Sequence, residues 1–182
     1  MSEQEVYTVN ICGLTRDFPL LEVAPGVKIA IFNMLGDTAV VKAAARELAK
    51  MLPVDADVLV TPAEKSIPLA YEMSVVMGIP YVVVRKERKP YMLNSLSAEV
   101  VSITTGNPQT LWLDGKDREL IEGKRVILVD DVVSTGSTLK GLRDLMAAAG
   151  GEIVAESAVF TEGDPQKWKD IVAIDNLPVF TD

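Results

Sequence analysis

Residues 125–139 read RVILVDDVVSTGSTL: an apolar strand, two adjacent carboxylates, a short loop of hydroxyls and glycine, and the start of a helix. Val126, Ile127, Leu128 and Val129 form a continuous aliphatic run, the pattern of a strand buried on both faces of a parallel sheet. Asp130 and Asp131 therefore stand at its carboxyl end. Two carboxylates side by side at the end of a buried strand are costly unless a ligand or cation faces them. Beyond them, Ser134, Thr135, Gly136, Ser137 and Thr138 offer hydroxyls and closely spaced backbone N–H groups, and the next helix points its positive end at the same place. Gly136 lets the backbone approach a ligand or adopt positive φ, and the small side chains leave room for an anion. Carboxylates for hydroxyl groups beside a nest for phosphate make a site for a phosphorylated sugar.

Outward from this stretch the chain alternates strand and helix patterns, which predicts an α/β fold with a doubly wound, mostly parallel sheet and helices on both faces. Val27 to Phe32 reads as a first strand, polar enough at Lys28 for a sheet edge. Asp37 to Leu52 is a helix with Asp37 as its N-cap, a stripe of Val40, Val41, Ala44, Ala45 and Leu48, and Pro53 after its end. Asp57 to Thr61 is a buried strand, Ser66 to Met77 a helix stopped by Gly78, and Tyr81 to Val84 a third strand. Ala98 to Trp112 reads as a hairpin turning at Thr105, Gly106 and Asn107. A helix over Thr138 to Ala149 and strands over Ile153 to Phe160 and Ile171 to Ile174 complete the set. Ligands of such sheets bind at the carboxyl ends of strands. The loops after Thr61, Val84 and Val129 meet that condition with chemistry in them.

The composition narrows the alternatives. The chain has 182 residues, 48% hydrophobic and 24% charged, which is one globular domain by size. A net charge of −8 argues against non-specific nucleic-acid binding. No apolar span reaches membrane length, and MSEQEVYTVN lacks the basic and apolar regions of a signal peptide, so the cytoplasm is the expected location and no membrane partner is expected. With no histidine, a Ser-His or Cys-His pair and a His-based zinc site are excluded. The lone Cys12 cannot form an intrachain disulfide and is expected to be a small buried residue. No G-x-x-x-x-G-K-[ST], G-x-G-x-x-G or G-x-S-x-G run occurs.

The strand, acidic pair, Thr-Gly turn and helix together closely resemble the signature of the type I phosphoribosyltransferases, which bind 5-phosphoribosyl 1-pyrophosphate (PRPP). The resemblance implies that Asp130 and Asp131 hold the ribose hydroxyls, and Mg²⁺ with the substrate, while Val132, Val133, Ser134, Thr135, Gly136, Ser137 and Thr138 wrap the 5-phosphate. The segment VTPAEKSIPLAYE is similar to the family's pyrophosphate loop: Lys65 matches its basic position, Ala63 and Glu64 look exchanged, and Ser66 replaces a glycine, a strained choice if positive φ is needed there. VVVRKERKPYM places Arg85, Lys86, Arg88 and Lys89 together in an otherwise acidic chain. A substrate with three phosphorus centres needs such local charge, because the field is screened beyond ~8 Å. Adenine phosphoribosyltransferases carry a similar Val-Arg-Lys run, basic side chains toward pyrophosphate and backbone at Val84 beside the base.

MLNSLSAEVVSITTG corresponds to the family's mobile loop, with Glu99 as the matching glutamate near the base. LTRDFPLLEV resembles the Phe-Arg-Asp-Ile-x-Pro cover of adenine phosphoribosyltransferases: Arg16, Asp17 and Pro19 match, Thr15 stands where an aromatic would stack, and Phe18 is the substitute base-stacking residue. The resemblance implies one domain, with a small hood segment over about 1–26, a PRPP-binding core over 27–162 and a C-terminal extension over 163–182. It implies a homodimer, to which Tyr91 to Leu96 or the Pro90 turn contributes, and purine salvage with adenine as the acceptor. Hypoxanthine, guanine, xanthine or orotate is the alternative, orotate because its acidity suits the basic run. A PRPP-sensing regulator without catalysis is the other class. The regulators of this kind add a basic DNA-binding module, and the matched region here starts close to the amino end.

Overall fold

The computed structural model describes residues 5–101 and 108–181. Its centre is a parallel sheet of five strands in the order β10-β9-β8-β4-β5, formed by β4 (Val58–Pro62), β5 (Tyr81–Val84), β8 (Arg125–Val133), β9 (Glu152–Glu162) and β10 (Val172–Leu177). The alternation of a strand's side chains divides β8 between two cores. Ile127 and Val129 join α1 (Thr38–Met51) and α2 (Ile67–Met77) on one face. Val126 and Leu128 join α3 (Ser137–Ala149) on the other, where the antiparallel hairpin of β6 (Leu96–Val101) and β7 (Pro108–Leu113) also packs. The doubly wound reading of the sequence is thus the observed architecture. The expected hairpin is present too, while its turn at Thr105 to Asn107 lies outside the described residues.

Local signals account for the helices. Asp37 accepts the Val40 N–H at 3.1 Å and so caps α1, whose buried residues are the five predicted from its stripe. Gly78, at φ 70°, closes α2 in the left-handed conformation. Asp37 also pairs with Arg16, Nε at 2.6 Å from one carboxylate oxygen and Nη2 at 3.2 Å from the other. That contact, before its capping role, holds the Asp37 carboxyl below the usual aspartate range.

Two expectations need correction. The strand beginning at Val27 is not an edge of the parallel sheet: β3 (Val27–Ala30) pairs antiparallel in a second sheet of order β1-β2-β3-β11, built from β1 (Val6–Ile11), β2 (Leu14–Ala24) and β11 (Val179–Thr181). The stretch over 163–182 contains the strand expected over Ile171 to Ile174. It supplies β10, an edge strand of the central sheet, and β11, whose Val179 pairs with Ile29. Cys12 is exposed, on a tight turn between β1 and β2 with φ 51°, rather than in the core. The two sheets are joined by aromatic rings. Phe32 meets Phe160 at 5.0 Å and Phe18 at 5.2 Å, and Phe18 meets Phe160 at 5.8 Å. Such offset and edge contacts add to the burial of three large side chains.

Candidate functional site

β8 delivers its two carboxylates to the end of the sheet in different environments. Asp130 is 7% exposed and Asp131 is half-buried beside it. An Asp130 carboxylate oxygen accepts the Asp131 N–H at 2.8 Å. Burial above all, and then the neighbouring Asp131 charge, pushes the Asp130 carboxyl well above its ordinary range, against a weaker opposing pull from Lys86. A carboxylate held this way gains from any cation or hydroxyl donor that arrives. Among the described residues no group of three or more His, Cys, Asp or Glu side chains forms a metal centre of its own. Two adjacent oxygen ligands suit a hard divalent cation that takes its remaining ligands from water and substrate phosphates.

The loop after β8 bounds a recess of about 50 Å³ at the N-terminus of α3, walled by Ser134, Thr135, Gly136 and Thr138 with Asp130 at its edge. Thr135 Oγ1 accepts the Ser137 N–H at 3.4 Å, and the N-cap residue of α3 is Gly136. Its φ of 81° is left-handed, and a Cβ there would lie 2.8 Å from Trp168 Cη2. Both facts call for glycine. Thr135 Oγ1 and Ser137 Oγ are hydrogen-bonded to each other at 2.9 Å, which sets the hydroxyls around the recess. Trp168 is itself anchored, its Nε1–H donating to the Glu162 carbonyl at 2.9 Å.

The recess adjoins a larger cleft of about 530 Å³. One wall is β3 and the residues after it, Ile29 to Phe32. The loop after β4 contributes Pro62 to Ser66, the loop after β5 contributes Lys86, and the end of β9 contributes Glu162. In the β4 loop, where the Ala63–Glu64 peptide is cis, Ser66 is 1% exposed at φ −87°. Its hydroxyl donates to the Pro62 carbonyl at 3.0 Å and accepts from Thr61 Oγ1 at 2.9 Å. The serine therefore fits without the strain expected of it in place of glycine.

The predicted site residues divide sharply. Asp130, Asp131, Val132, Ser134, Thr138, Lys65 and Lys86 line the cleft, and Val133, Thr135 and Gly136 line the recess. Arg85, Arg88 and Lys89 line neither. Arg85 exchanges backbone hydrogen bonds with Trp112, Arg88 lies 5.9 Å from the centre of the Trp112 ring, and Lys89 pairs with Glu87 at 2.8 Å. Phe18, expected to stack on a base, is 5% exposed and has its ring inside the aromatic cluster, so it is a core residue. Val84 is fully buried with its side chain in the α3-side core. Glu99 is exposed on β6, opposite Thr110, and is not part of the cleft lining. Two contributors were missed by sequence reasoning, the β3 wall and Glu162. The strand itself was readable at Val27 to Phe32. Glu162 gave only the weak signal of an acid ending an apolar strand just before a Gly-Asp-Pro turn.

Comparison with known proteins bears on the family and the fold. The profile of the family described as phosphoribosyl transferase domain matches residues 33–178. The hypoxanthine/guanine phosphoribosyltransferase of Methanothrix soehngenii is 35% identical over 117 residues, 64% of this chain and 58% of that protein. The purine biosynthesis transcriptional repressor PurR of Bacillus subtilis is 30% identical over 125 residues, 68% of this chain and 43% of that protein. The chain thus spans about half the length of these curated relatives. Among solved structures, adenine phosphoribosyltransferase from Thermoanaerobacter pseudethanolicus superposes with a TM-score of 0.70 at 23% identity, covering 87% of this chain and 95% of that one, which is a likeness of fold.

Proposed function

The chain belongs to the phosphoribosyl transferase domain family, and from that membership we propose that it transfers the phosphoribosyl group of PRPP to a purine, releasing pyrophosphate. The observation that carries the reading is the Asp130–Asp131 pair, buried at Asp130, beside a small recess at the head of α3, both opening on a cleft with Lys65 and Lys86. The 5-phosphate occupies the recess and the ribose hydroxyls face the carboxylates. In the transfer, a base nitrogen bonds to C1 as the C1–O bond breaks, the electron pair leaves with pyrophosphate, and the base gives up an N–H proton. Lys65 and Lys86 stabilise the charge that accumulates on pyrophosphate. Asp130 and Asp131 would also hold Mg²⁺ with the substrate oxygens, the ion supplying further positive charge beside the leaving group when bound.

Adenine is the acceptor put first, on the match of Arg16, Asp17 and Pro19, with hypoxanthine, guanine, xanthine and orotate as the alternatives. The proposal includes a cytoplasmic homodimer, with Tyr91 and Leu93 as exposed apolar residues available to an interface. No helix among the described residues is long and apolar enough to cross a membrane. The likeness to the Bacillus subtilis repressor favours a second reading, a PRPP-sensing regulator that binds without catalysis. Pyrophosphate release from PRPP and Mg²⁺ with each of the five bases separates the two. Turnover with a purine is the expected result; PRPP binding by calorimetry with no release for any base would give the regulator first place.

A further inference from the structure

The cleft has two chemically different sides. In the strand order β10-β9-β8-β4-β5, the carboxylate pair lies near the carboxyl end of β8, Lys65 and Lys86 follow β4 and β5 on one flank, and Glu162 ends β9 on the other. Displacement at C1 requires the incoming nitrogen and the departing oxygen on opposite faces of that carbon. With pyrophosphate over the cations, the base lies toward β9, against Ile31 and the edge of β3. Among the described residues, the ionisable side chain lining that flank is Glu162. It is half-buried, and among the described residues its carboxyl has no hydrogen-bond or ion-pair partner. Burial raises it above the usual glutamate range. Its backbone is held at both ends. The carbonyl accepts from Trp168 and the residue pairs with Leu177 of β10. A fixed, unpartnered acceptor facing a ligand is a reading group.

We propose that Glu162 selects the acceptor base, accepting hydrogen bonds from a purine that carries an exocyclic amine. Adenine presents its 6-amino group, and guanine presents N1–H and its 2-amino group side by side for the two carboxylate oxygens. Hypoxanthine offers a single N–H. Xanthine and orotate turn oxo groups and anionic charge toward the carboxylate and are rejected. A site built to hydrogen-bond a donor discriminates strongly, because its buried polar group is left unpaired by the wrong ligand.

This assignment rests on the function proposed above, and its test separates the two. The kcat/KM values of the full chain for adenine, guanine, hypoxanthine, xanthine and orotate are measured for wild type, Glu162→Gln and Glu162→Ala. Wild type is expected to prefer adenine or guanine. Both variants are expected to reduce the ratio of the preferred aminopurine to xanthine by about 10- to 100-fold, with the PRPP KM unchanged. A wild-type preference for xanthine or orotate, or an unaltered ratio in both variants, overturns the role of Glu162 and leaves the transfer activity standing. If wild type turns over no base, the same ratios are read as dissociation constants for AMP, GMP and XMP. A ratio unmoved by Glu162→Gln again overturns the assignment, and failure to bind any of the three overturns it together with the proposed function.

Discussion

The loops after β8 and β5 both look like dense functional clusters in the sequence, yet the structure uses them differently. The β8 loop keeps almost all its predicted residues on the cleft or recess, while only Lys86 of the four cations after β5 lines the cleft. The difference is one of chain length. Asp, Ser, Thr and Gly act within a bond or two of a backbone that the sheet and α3 already hold, so position in sequence nearly fixes position in space. Lys and Arg end long, flexible stems that settle on whatever lies nearby, here Glu87 and the Trp112 ring.

The largest effect is expected on the β8 side. Asp130→Asn with Asp131→Asn abolishes transfer in a chain that circular dichroism shows to be folded, and retained PRPP-dependent turnover would refute the ribose role. Next, Gly136→Ala weakens PRPP binding by about 1–3 kcal/mol, since it combines a left-handed φ with a clash against Trp168. Adding Trp168→Ala recovers only the clash component, which calorimetry of the single and double variants resolves. On the β5 side, Lys86→Ala raises the PRPP KM by about tenfold, whereas Arg88→Ala and Lys89→Ala stay within about twofold, as exposed charges engaged elsewhere do. Equal effects of the three would erase the contrast between the loops.

A smaller prediction concerns stability. The folded-state pKa of Asp130 is raised by burial, so its ionisation opposes folding. The Asp130 contribution to the stability of the ligand-free chain is greatest below the ordinary aspartate range, where its carboxyl is protonated in both states. That contribution is lost as the pH rises through the raised value. Asp130→Asn should therefore gain about 1 kcal/mol over wild type at neutral pH, an advantage that fades on acidification. Melting temperatures of the ligand-free proteins across pH test the sign. The smallest effect belongs to Glu99→Gln, expected to slow turnover less than tenfold with PRPP binding unchanged. An unchanged rate removes Glu99 from the site.

The central sheet was legible because each of its strands carries its own signal. Tyr81 to Val84 coincides with β5, and the helices announced their limits at Asp37 and Gly78. The second sheet was not legible as a unit. Its strands are half-exposed, and β3 acquires a partner from the far end of the chain, a pairing no local pattern encodes. The same limit explains Phe18, whose ring is claimed by Phe32 and Phe160 across long sequence separations. Glu162 escaped notice because its meaning depends on which strand lies beside β8, a matter of topology rather than motif.

The pairing of β11 with β3 has a consequence for the order in which this protein is made. On a ribosome, β4 emerges first of the central strands, and β5 and β8 then emerge with that partner already present. Ile29 in the cleft wall cannot gain its second neighbour until Val179 has been synthesised. The nascent chain thus has the residues of the recess at the head of α3 before the β3 wall of the cleft has both of its neighbouring strands.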